Sequence, residues 1–276
     1  AENNSFPVVI SGNAGNNGTI CNSYNGASGY FDGMIDEVKI YNDALTEDQI
    51  KLDYNQGKTQ VMGAMGTESD GTTPSFSSDR SYCPPGDTTA NCGPIAEWKV
   101  DEKQGTTAYD TSGNGNDGTL TNMETEDWKS SAQCHQGSCV EIDGSDEFID
   151  GINTDLGGKS SATIEMWINS DWNHSTGTGG YQSLLVQQKN WSDLFGFTQD
   201  ASGILSLSHR VGGNLDDRNI VTQNMSAYQN KWTHITGVYD SGNYKLYVNG
   251  TLADEATGSH SSISSAITGY EINIGN

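Results

Sequence analysis

Short apolar segments separated by turns fill the chain from Ile95 onward and constrain its fold more than any other feature. Within each segment apolar and polar residues alternate, which is the pattern of a β-strand that buries one face. Asn249-Gly250 lies between two such segments, and this dipeptide is typical of a type I′ hairpin turn. The pattern predicts an all-β, antiparallel two-sheet sandwich. The predicted strands are AEWKV, SCVEID, EFIDG, TIEMWIN, SLLVQQK, LFGFT, ILSLSHR, WTHITGVYD, YKLYVNG and EINIGN.

The charge of the chain limits its partners. Asp and Glu number 36 against 13 Lys and Arg, so the formal net charge is −23. Nucleic acids and anionic lipid surfaces are bound by clustered cations, so we expect no nucleic-acid partner and no attraction to such membranes. The sequence also has no apolar run of about 18 residues, the length that a transmembrane helix needs, and we expect no membrane insertion.

The five cysteines predict an oxidised protein. Two close pairs bracket short polar loops, and we expect the disulfides Cys83–Cys92 and Cys134–Cys139. Reduced thiols and a four-cysteine metal site are the alternatives, although no C-x-x-C pair occurs. Disulfides form outside the cytosol, so this pattern predicts an extracellular or cell-surface protein. Cys21 is left over, either buried and free or paired with another chain.

The N-terminal part is organised differently. Residues 6–13 and 29–41 have the pattern of strands, and a short helix is predicted after them. Thr46 and Gln49 have the spacing of a capping box at the start of that helix. Gly, Ser, Thr, Asp and Pro then dominate residues 58–94, which we interpret as a linker around Cys83 and Cys92.

Several of these segments resemble the laminin-G / concanavalin-A-like jelly roll of bacterial surface proteins and lectin modules. They are WKVDE, AYDTSGNGNDGTL, VEIDGSDEFI, IEMWIN, KWTHITGVYD, YKLYVNG and YFDGMIDEVKIYNDAL. In that family the last of these closes the module, but here it comes first. The resemblance implies that 1–57 is the C-terminal part of a module, 58–94 a stapled linker and 95–276 a sandwich without its closing hairpin. The hairpin residues would be Tyr30, Phe31, Ile35, Val38, Ile40 and Tyr41.

This displacement leaves three arrangements open. The chain is a window on a tandem array, or residues 1–57 complete the sandwich of their own chain, or they complete that of the next subunit in a head-to-tail filament. The first and third predict a non-enzymatic structural or adhesive protein whose partners are neighbouring repeats or copies of itself. The second makes a monomeric, lectin-like carbohydrate-binding module the alternative, with glycans as partners.

Calcium is the cofactor that the resemblance implies. The loop DTSGNGNDG is rich in the oxygen ligands that Ca²⁺ prefers, although an Asx-rich turn that satisfies its own backbone would look the same. In the family this loop often holds calcium beside the IDEV strand. The implied ligands are the side chains of Asp110 and Asn116, the carbonyl of Gly113 and either Asp36 or Glu37, with Asp101 as a nearby candidate.

Aromatic residues in or beside predicted loops are the candidates for stacking on sugar rings. Their alternative role is to cover the ends of the sandwich. EIDGSDE at 141–147 superficially resembles the paired-carboxylate strand of laminarinase-type glycosidases, but its Gly-Ser-Asp is turn chemistry, and we expect no enzymatic activity. The candidate sugar-stacking residues are Trp172, Tyr181, Trp191 and Tyr228.

Overall fold

A computed structural model describes residues 31–55, 66–67, 74–75, 93–144, 146–172, 181–190, 192–212 and 220–275. They form strands and one α-helix, α1 (Glu47–Asn55), with short 3-10 turns between strands. The strands are β1 (Asp32–Tyr41), β2 (Gly66–Thr67), β3 (Pro74–Ser75), β4 (Ala96–Trp98), β5 (Thr107–Ala108), β6 (Gly118–Thr121), β7 (Trp128–Lys129), β8 (Cys139–Asp143), β9 (Phe148–Ile152), β10 (Ser161–Asn169), β11 (Tyr181–Asn190), β12 (Asp193–Asp200), β13 (Ile204–Arg210), β14 (Val221–Asn224), β15 (Thr233–Asp240), β16 (Asn243–Val248), β17 (Thr251–Thr257) and β18 (Ile272–Ile274).

Two antiparallel sheets of eight strands form the sandwich that the alternation predicts. The first sheet has the order β17-β16-β15-β10-β1-β8-β7, and β4 also pairs with β1. The second has the order β14-β13-β12-β11-β18-β9-β6-β5. The fold class is therefore confirmed as an all-β sandwich with one helix. No helix within the described ranges is long and apolar enough to cross a membrane.

Apolar side chains from the two inner faces meet in one continuous core. Phe197 of β12 is fully buried, and it lies opposite Gly237 of β15 across the sandwich. A Cβ atom on Gly237 would come within 3.0 Å of the Phe197 ring and 2.8 Å of Leu207 Cδ1. Glycine at this position therefore lets the two sheets approach closely around the phenyl ring.

Strand β1 lies in the middle of the first sheet. On one side it pairs with β10, with Ile40 opposite Ile164. On the other side it pairs with β8 and then with β4. The N–H of Phe31 also donates to the carbonyl of Gly275, 3.1 Å away. In this structure β1 thus fills the gap between β10 and the strands β4 and β8 of the same chain. The module boundaries at 57 and 94 stay predictions.

Local signals in the sequence are found where they were expected. Gln49 Oε1 accepts from the N–H of Thr46 at 2.8 Å, and Thr46 Oγ1 accepts from the N–H of Gln49, so the capping box is confirmed. Asn249 and Gly250 have φ angles of 50° and 71°, as a type I′ turn requires. The Cys134–Cys139 disulfide is present. Cys21, Cys83 and Cys92 lie outside the described residues.

Candidate functional site

A bulge in β1 divides its side chains between the core and the outer face of the first sheet. Its register against β10 shifts between Asp36 and Lys39, and Glu37 at the bulge has a φ of 48°. Ile35 and Val38 consequently both reach the core, although three positions separate them. Asp36 and Lys39 lie on the opposite face, where an uninterrupted alternation would have placed only one of them.

Helix α1 covers part of this outer face. Ile50 is its fully buried apolar residue, and it packs in a small cluster with Tyr41, Leu45, Val238 and Tyr247. This cluster is separate from the core between the sheets. The helix therefore closes polar side chains of β1 and β10 away from water.

Ionisable groups are buried between α1 and the sheet. Lys39 Nζ lies 3.2 Å from Asp53 Oδ1 and 3.6 Å from Glu165 Oε1. The hydroxyl of Tyr41 is 3.1 Å from Asp53 Oδ2 and 3.2 Å from Glu165 Oε1. His234 Nε2 lies 3.8 Å from Glu165 Oε2. We name Lys39, Tyr41, Asp53, Glu165 and His234 the Lys39 cluster.

Glu165 is the member of this cluster whose pKa burial shifts most clearly. It raises the pKa of Glu165 well above its ordinary value, and the negative charge of Asp53 raises it further. The ammonium of Lys39 and the hydrogen bond from Tyr41 act in the opposite direction but do not compensate. The balance therefore favours the neutral acid form of Glu165, next to an amine and a second carboxyl group.

A row of aromatic rings continues along the same face. The ring of Trp167 stacks on that of His135, with centroids 3.5 Å apart and planes 12° apart, and also on Tyr54, with centroids 5.6 Å apart. Trp232 is tilted against His135, and its indole N–H donates to the carbonyl of Gln133. The loop that carries His135 is closed by the Cys134–Cys139 disulfide, which fixes the histidine over the sheet.

An open cleft of about 830 Å³ lies beside the start of α1. Its apolar part is formed by Ala44, Leu45 and Val238, and the ring of Tyr247 lies next to them. We call this apolar part the floor of the cleft, and hydroxyl, amide, amine and carboxylate groups surround it. The polar residues are Thr46, Glu47, Asp240, Asn243, Lys245, Glu255 and Thr257.

Asp110 and its loop behave as a self-satisfied turn. The Asp110 carboxylate accepts from the backbone N–H groups of Glu97, Ser112 and Asn116. Burial raises the pKa of Asp110, but the hydrogen bonds from Asn116, Ser112 and Glu97 outweigh it, and the pKa lies below its ordinary value. The two oxygens of Asp110 are therefore engaged by the chain itself, as in an Asx-rich turn, and calcium at Asp110, Gly113 and Asn116 stays a prediction.

The second group of predicted calcium ligands fits a cation better. Asp36 is fully buried; its Oδ2 accepts from the N–H of Gln136, but Oδ1 has no hydrogen-bond partner. Burial raises the pKa of Asp36 to about 8, and the charges of Glu37 and Asp101 add to the rise. No three Asp, Glu, His or Cys side chains converge as a ready metal site in the described ranges. Calcium at Asp36, Glu37 and Asp101 stays a prediction.

Two of the four candidate sugar-stacking residues, Trp172 and Tyr228, have side chains that the structure describes. Trp172 is only 2% exposed and belongs to the core, so its ring offers no open face to a sugar. Tyr228 is partly buried against the same core. Trp191 and the side chain of Tyr181 lie outside the described residues.

The predicted hairpin is described except for Tyr30, which lies outside the described residues. Its other residues, Phe31, Ile35, Val38, Ile40 and Tyr41, are buried, and they lie in β1 or, for Phe31, directly before it.

The paired-carboxylate arrangement of a glycosidase is interrupted in EIDGSDE. Asp143 ends β8 in the first sheet, and β9 begins at Phe148 in the second. Gly144 has a φ of 77°, and the N–H of Asp143 donates to Glu147 Oε2. Glu141 and Asp143 lie on β8, whereas Asp146 and Glu147 lie on the turn that follows it, so the four carboxylates are not held on one rigid strand.

Sequence patterns did not single out the Lys39 cluster or the aromatic row. Trp167 and Trp232 both lie outside the main core cluster. The sequence does show that polar residues alternate with apolar ones here, Lys39 with Ile40 and Glu165 with Met166. This alternation indicates that Lys39 and Glu165 lie on an outer face of the sheet. It does not show that a helix covers that face.

Two kinds of similarity to known proteins were found. A family model described as the concanavalin A-like lectin/glucanases superfamily matches residues 1–51 and 143–276. No curated protein sequence matches the chain. The two matched segments include β1 and all strands from β9 to β18.

Similar solved structures resemble the chain at the level of fold. Domain 4 of AbnA, a GH43 extracellular arabinanase from Geobacillus stearothermophilus in complex with arabinotriose, has 13% identity and a TM-score of 0.42, covering 66% of this chain and 82% of that one. The binding domain of botulinum neurotoxin DC in complex with SialylT has 18% identity and a TM-score of 0.42, over 61% and 40%. Domains LG4-5 of the mouse laminin alpha1 chain have 15% identity and a TM-score of 0.30, over 51% and 42%.

Proposed function

This chain belongs to the concanavalin A-like lectin/glucanase superfamily, and we propose that it is a non-catalytic carbohydrate-binding module. The observation that carries the proposal is the cleft beside α1. Hydroxyl, amide and carboxylate groups surround an apolar floor there, which is the combination that recognises the polar edges and apolar faces of a sugar.

The charges of the cleft favour uncharged sugars. Glu47, Asp240 and Glu255 contribute three carboxylates against the single amine of Lys245. The whole chain carries a formal net charge of −23, which repels sialylated or uronic glycans at long range. The proposed ligands are therefore neutral oligosaccharides.

Exposure to an oxidising compartment is part of this proposal. The Cys134–Cys139 disulfide supports it, because such bonds persist outside the cytosol. The acidic surface suits a protein that meets salt and extracellular glycans. We accordingly place the module on the cell surface or in secreted material.

The cleft is tested by calorimetry with neutral oligosaccharides chosen on a glycan array. We expect Asn243→Ala and Lys245→Ala each to weaken binding about tenfold, the effect of one lost hydrogen bond of about 1.4 kcal/mol. Asn153→Ala is the matched control, since Asn153 is exposed outside the cleft and its side-chain amide donates to the carbonyl of Gly151. Unchanged affinity in both cleft variants would rule out this site.

Self-assembly is a second candidate function, favoured by the position of β1. Its ladder partners lie in β4, β8 and β10, and 37 residues separate the end of α1 from Gly93. The same contacts would form if residues 1–57 entered a neighbouring sandwich, giving a tandem array or a head-to-tail filament with an adhesive or structural role.

A cysteine pair distinguishes the two ways of completing the sandwich. Met34 of β1 lies opposite Asn169 of β10, so Met34→Cys with Asn169→Cys should form a disulfide on oxidation. Filament formation predicts covalent ladders of subunits on a non-reducing gel and fibres in electron micrographs. Cross-linked monomers alone, with peptide mapping of the new bond, would contradict it; each single cysteine variant serves as control.

Calcium binding is tested at Asp36. If the metal occupies the unpartnered oxygen of Asp36, calcium at a hundred times its dissociation constant should stabilise the fold by about 2.7 kcal/mol. We expect Asp36→Asn to abolish this rise in melting temperature and Asp110→Asn to retain it, because Asp110 already accepts three backbone donors. Equal melting curves of the wild type with calcium and with a chelator would exclude the site.

A further inference from the structure

The Lys39 cluster places an amine against two carboxyl groups in a space closed to water. Exposure of the side chains is 8% for Lys39 and 1% for both Asp53 and Glu165. Lys39 Nζ is 3.2 Å from Oδ1 of Asp53, a direct contact that holds the amine against this carboxyl group. A buried ion pair adds little net stability, because the free-energy cost of desolvating the two charges is about as large as their attraction. Stability alone therefore does not explain this arrangement.

We propose that Lys39 and Asp53 become joined by an amide bond between Nζ and Cγ, formed without another enzyme, with Glu165 as the group that transfers protons. Lys39 is the nucleophile, Asp53 is the electrophile and Glu165 is the acid and base beside both. This modification is independent of the glycan-binding function proposed above. It would make α1 a covalently fixed part of the first sheet.

The reaction balances as a condensation. A proton first passes from the Lys39 ammonium to the Asp53 carboxylate, which gives a neutral amine and a neutral acid. The amine nitrogen attacks Cγ of Asp53 to form the C–N bond, while Glu165 donates its proton to the carbonyl oxygen. Glu165 then takes a proton from the nitrogen, one C–O bond breaks and water leaves. One ammonium and one carboxylate are thereby replaced by one amide and one water, with no oxidant or reductant.

The neighbouring groups suit these steps. Burial, with the nearby charge of Asp53, raises the pKa of Glu165, which favours the protonated form that donates to the carbonyl oxygen during the attack. The hydroxyl of Tyr41 reaches Asp53 Oδ2 and can donate to the oxygen on which charge develops. His234 approaches the other oxygen of Glu165, at 3.8 Å. The neutral amine that the first transfer leaves on Lys39 is the nucleophilic form of lysine.

The bond would close a ring from residue 39 to residue 53. Its immediate consequence is that α1 could not separate from β1, even where the ladder around β1 opens. Removal of two buried charges would also abolish the energetic cost of keeping them from water.

Mass spectrometry of the folded, full chain tests the proposal after reduction and alkylation of the cysteines. We expect the wild type to be lighter than its sequence by one water, about 18 Da, and a branched peptide to join Lys39 to Asp53. Lys39→Arg and Asp53→Ala should show the full sequence mass. Lys51→Arg, at an exposed lysine of α1 paired with Glu47, is the matched control and should keep the deficit.

The variant Glu165→Gln distinguishes a loss of the reaction from a loss of the fold. This variant keeps the size of the side chain but cannot exchange protons as a carboxyl group does, so it should fold, as judged by near-ultraviolet circular dichroism, and lack the mass deficit. A folded wild type of full mass would overturn the proposal. A deficit that maps to another pair of residues, or that persists in folded Glu165→Gln, would overturn it as well.

Discussion

A chain without residues 1–57 will fail to fold on its own, and adding those residues as a separate peptide will restore the native fold. The deletion removes Phe31, Ile35, Val38 and Ile40, which are all fully buried in the core. Each contributes about 1.5–3 kcal/mol by burial, so together they supply on the order of 10 kcal/mol. This equals the whole stability of a typical domain, about 5–15 kcal/mol.

The experiment compares residues 58–276 alone, with the 1–57 peptide, and with a peptide that carries Ile40→Asp. Far-ultraviolet circular dichroism and urea unfolding should show a cooperative native transition only with the unaltered peptide. The aspartate peptide is the control because it keeps length and most of the sequence but places a charge in the core. A cooperative transition of 58–276 alone, at the midpoint of the full chain, would show that β1 is dispensable.

The substitution Phe197→Ala should lower the free energy of unfolding by about 3–5 kcal/mol. The ring of Phe197 is fully buried and lies in the narrow gap beside Gly237, so its removal leaves a cavity between the sheets. Equilibrium denaturation with urea measures the loss directly, provided that the slope of the transition is unchanged.

Tyr109→Ala is the matched control for this cavity. Tyr109 is 57% exposed, so removal of its ring should change stability by less than about 0.5 kcal/mol. If Phe197→Ala lowered the free energy of unfolding no more than the control does, the contact of Phe197 between the sheets would not be a source of stability. A rescue of Gly237→Ala by Phe197→Leu would support it further, since each change alone disturbs the same gap.

Features that depend on neighbouring residues could be predicted from the sequence. The alternation of apolar residues predicts the strands, Thr46 and Gln49 predict the start of α1, and Asn249-Gly250 predicts the tight hairpin. Cys134 and Cys139 are close in sequence and flank a short loop, so their disulfide could be predicted too. In each example the determining contacts span a few residues.

Features that depend on distant contacts could not be predicted. The sequence left three ways to complete the sandwich, because a strand pattern does not say which chain supplies its partners. Trp172 lies beside a predicted loop, yet tertiary packing buries it. Lys39 and Glu165 alternate with apolar residues as any exposed pair would; only the packing of Asp53 from α1 turns them into a buried cluster.

The position of β1 also has a consequence for synthesis on the ribosome. Ile40 emerges 124 residues before its partner Ile164, a delay of roughly 6–25 s at about 5–20 residues per second. During that time an apolar strand is available to neighbouring nascent chains before its own sheet exists. Its completion is a late, long-range step, and the rate at which the second half of the chain is made limits how soon the sandwich can close.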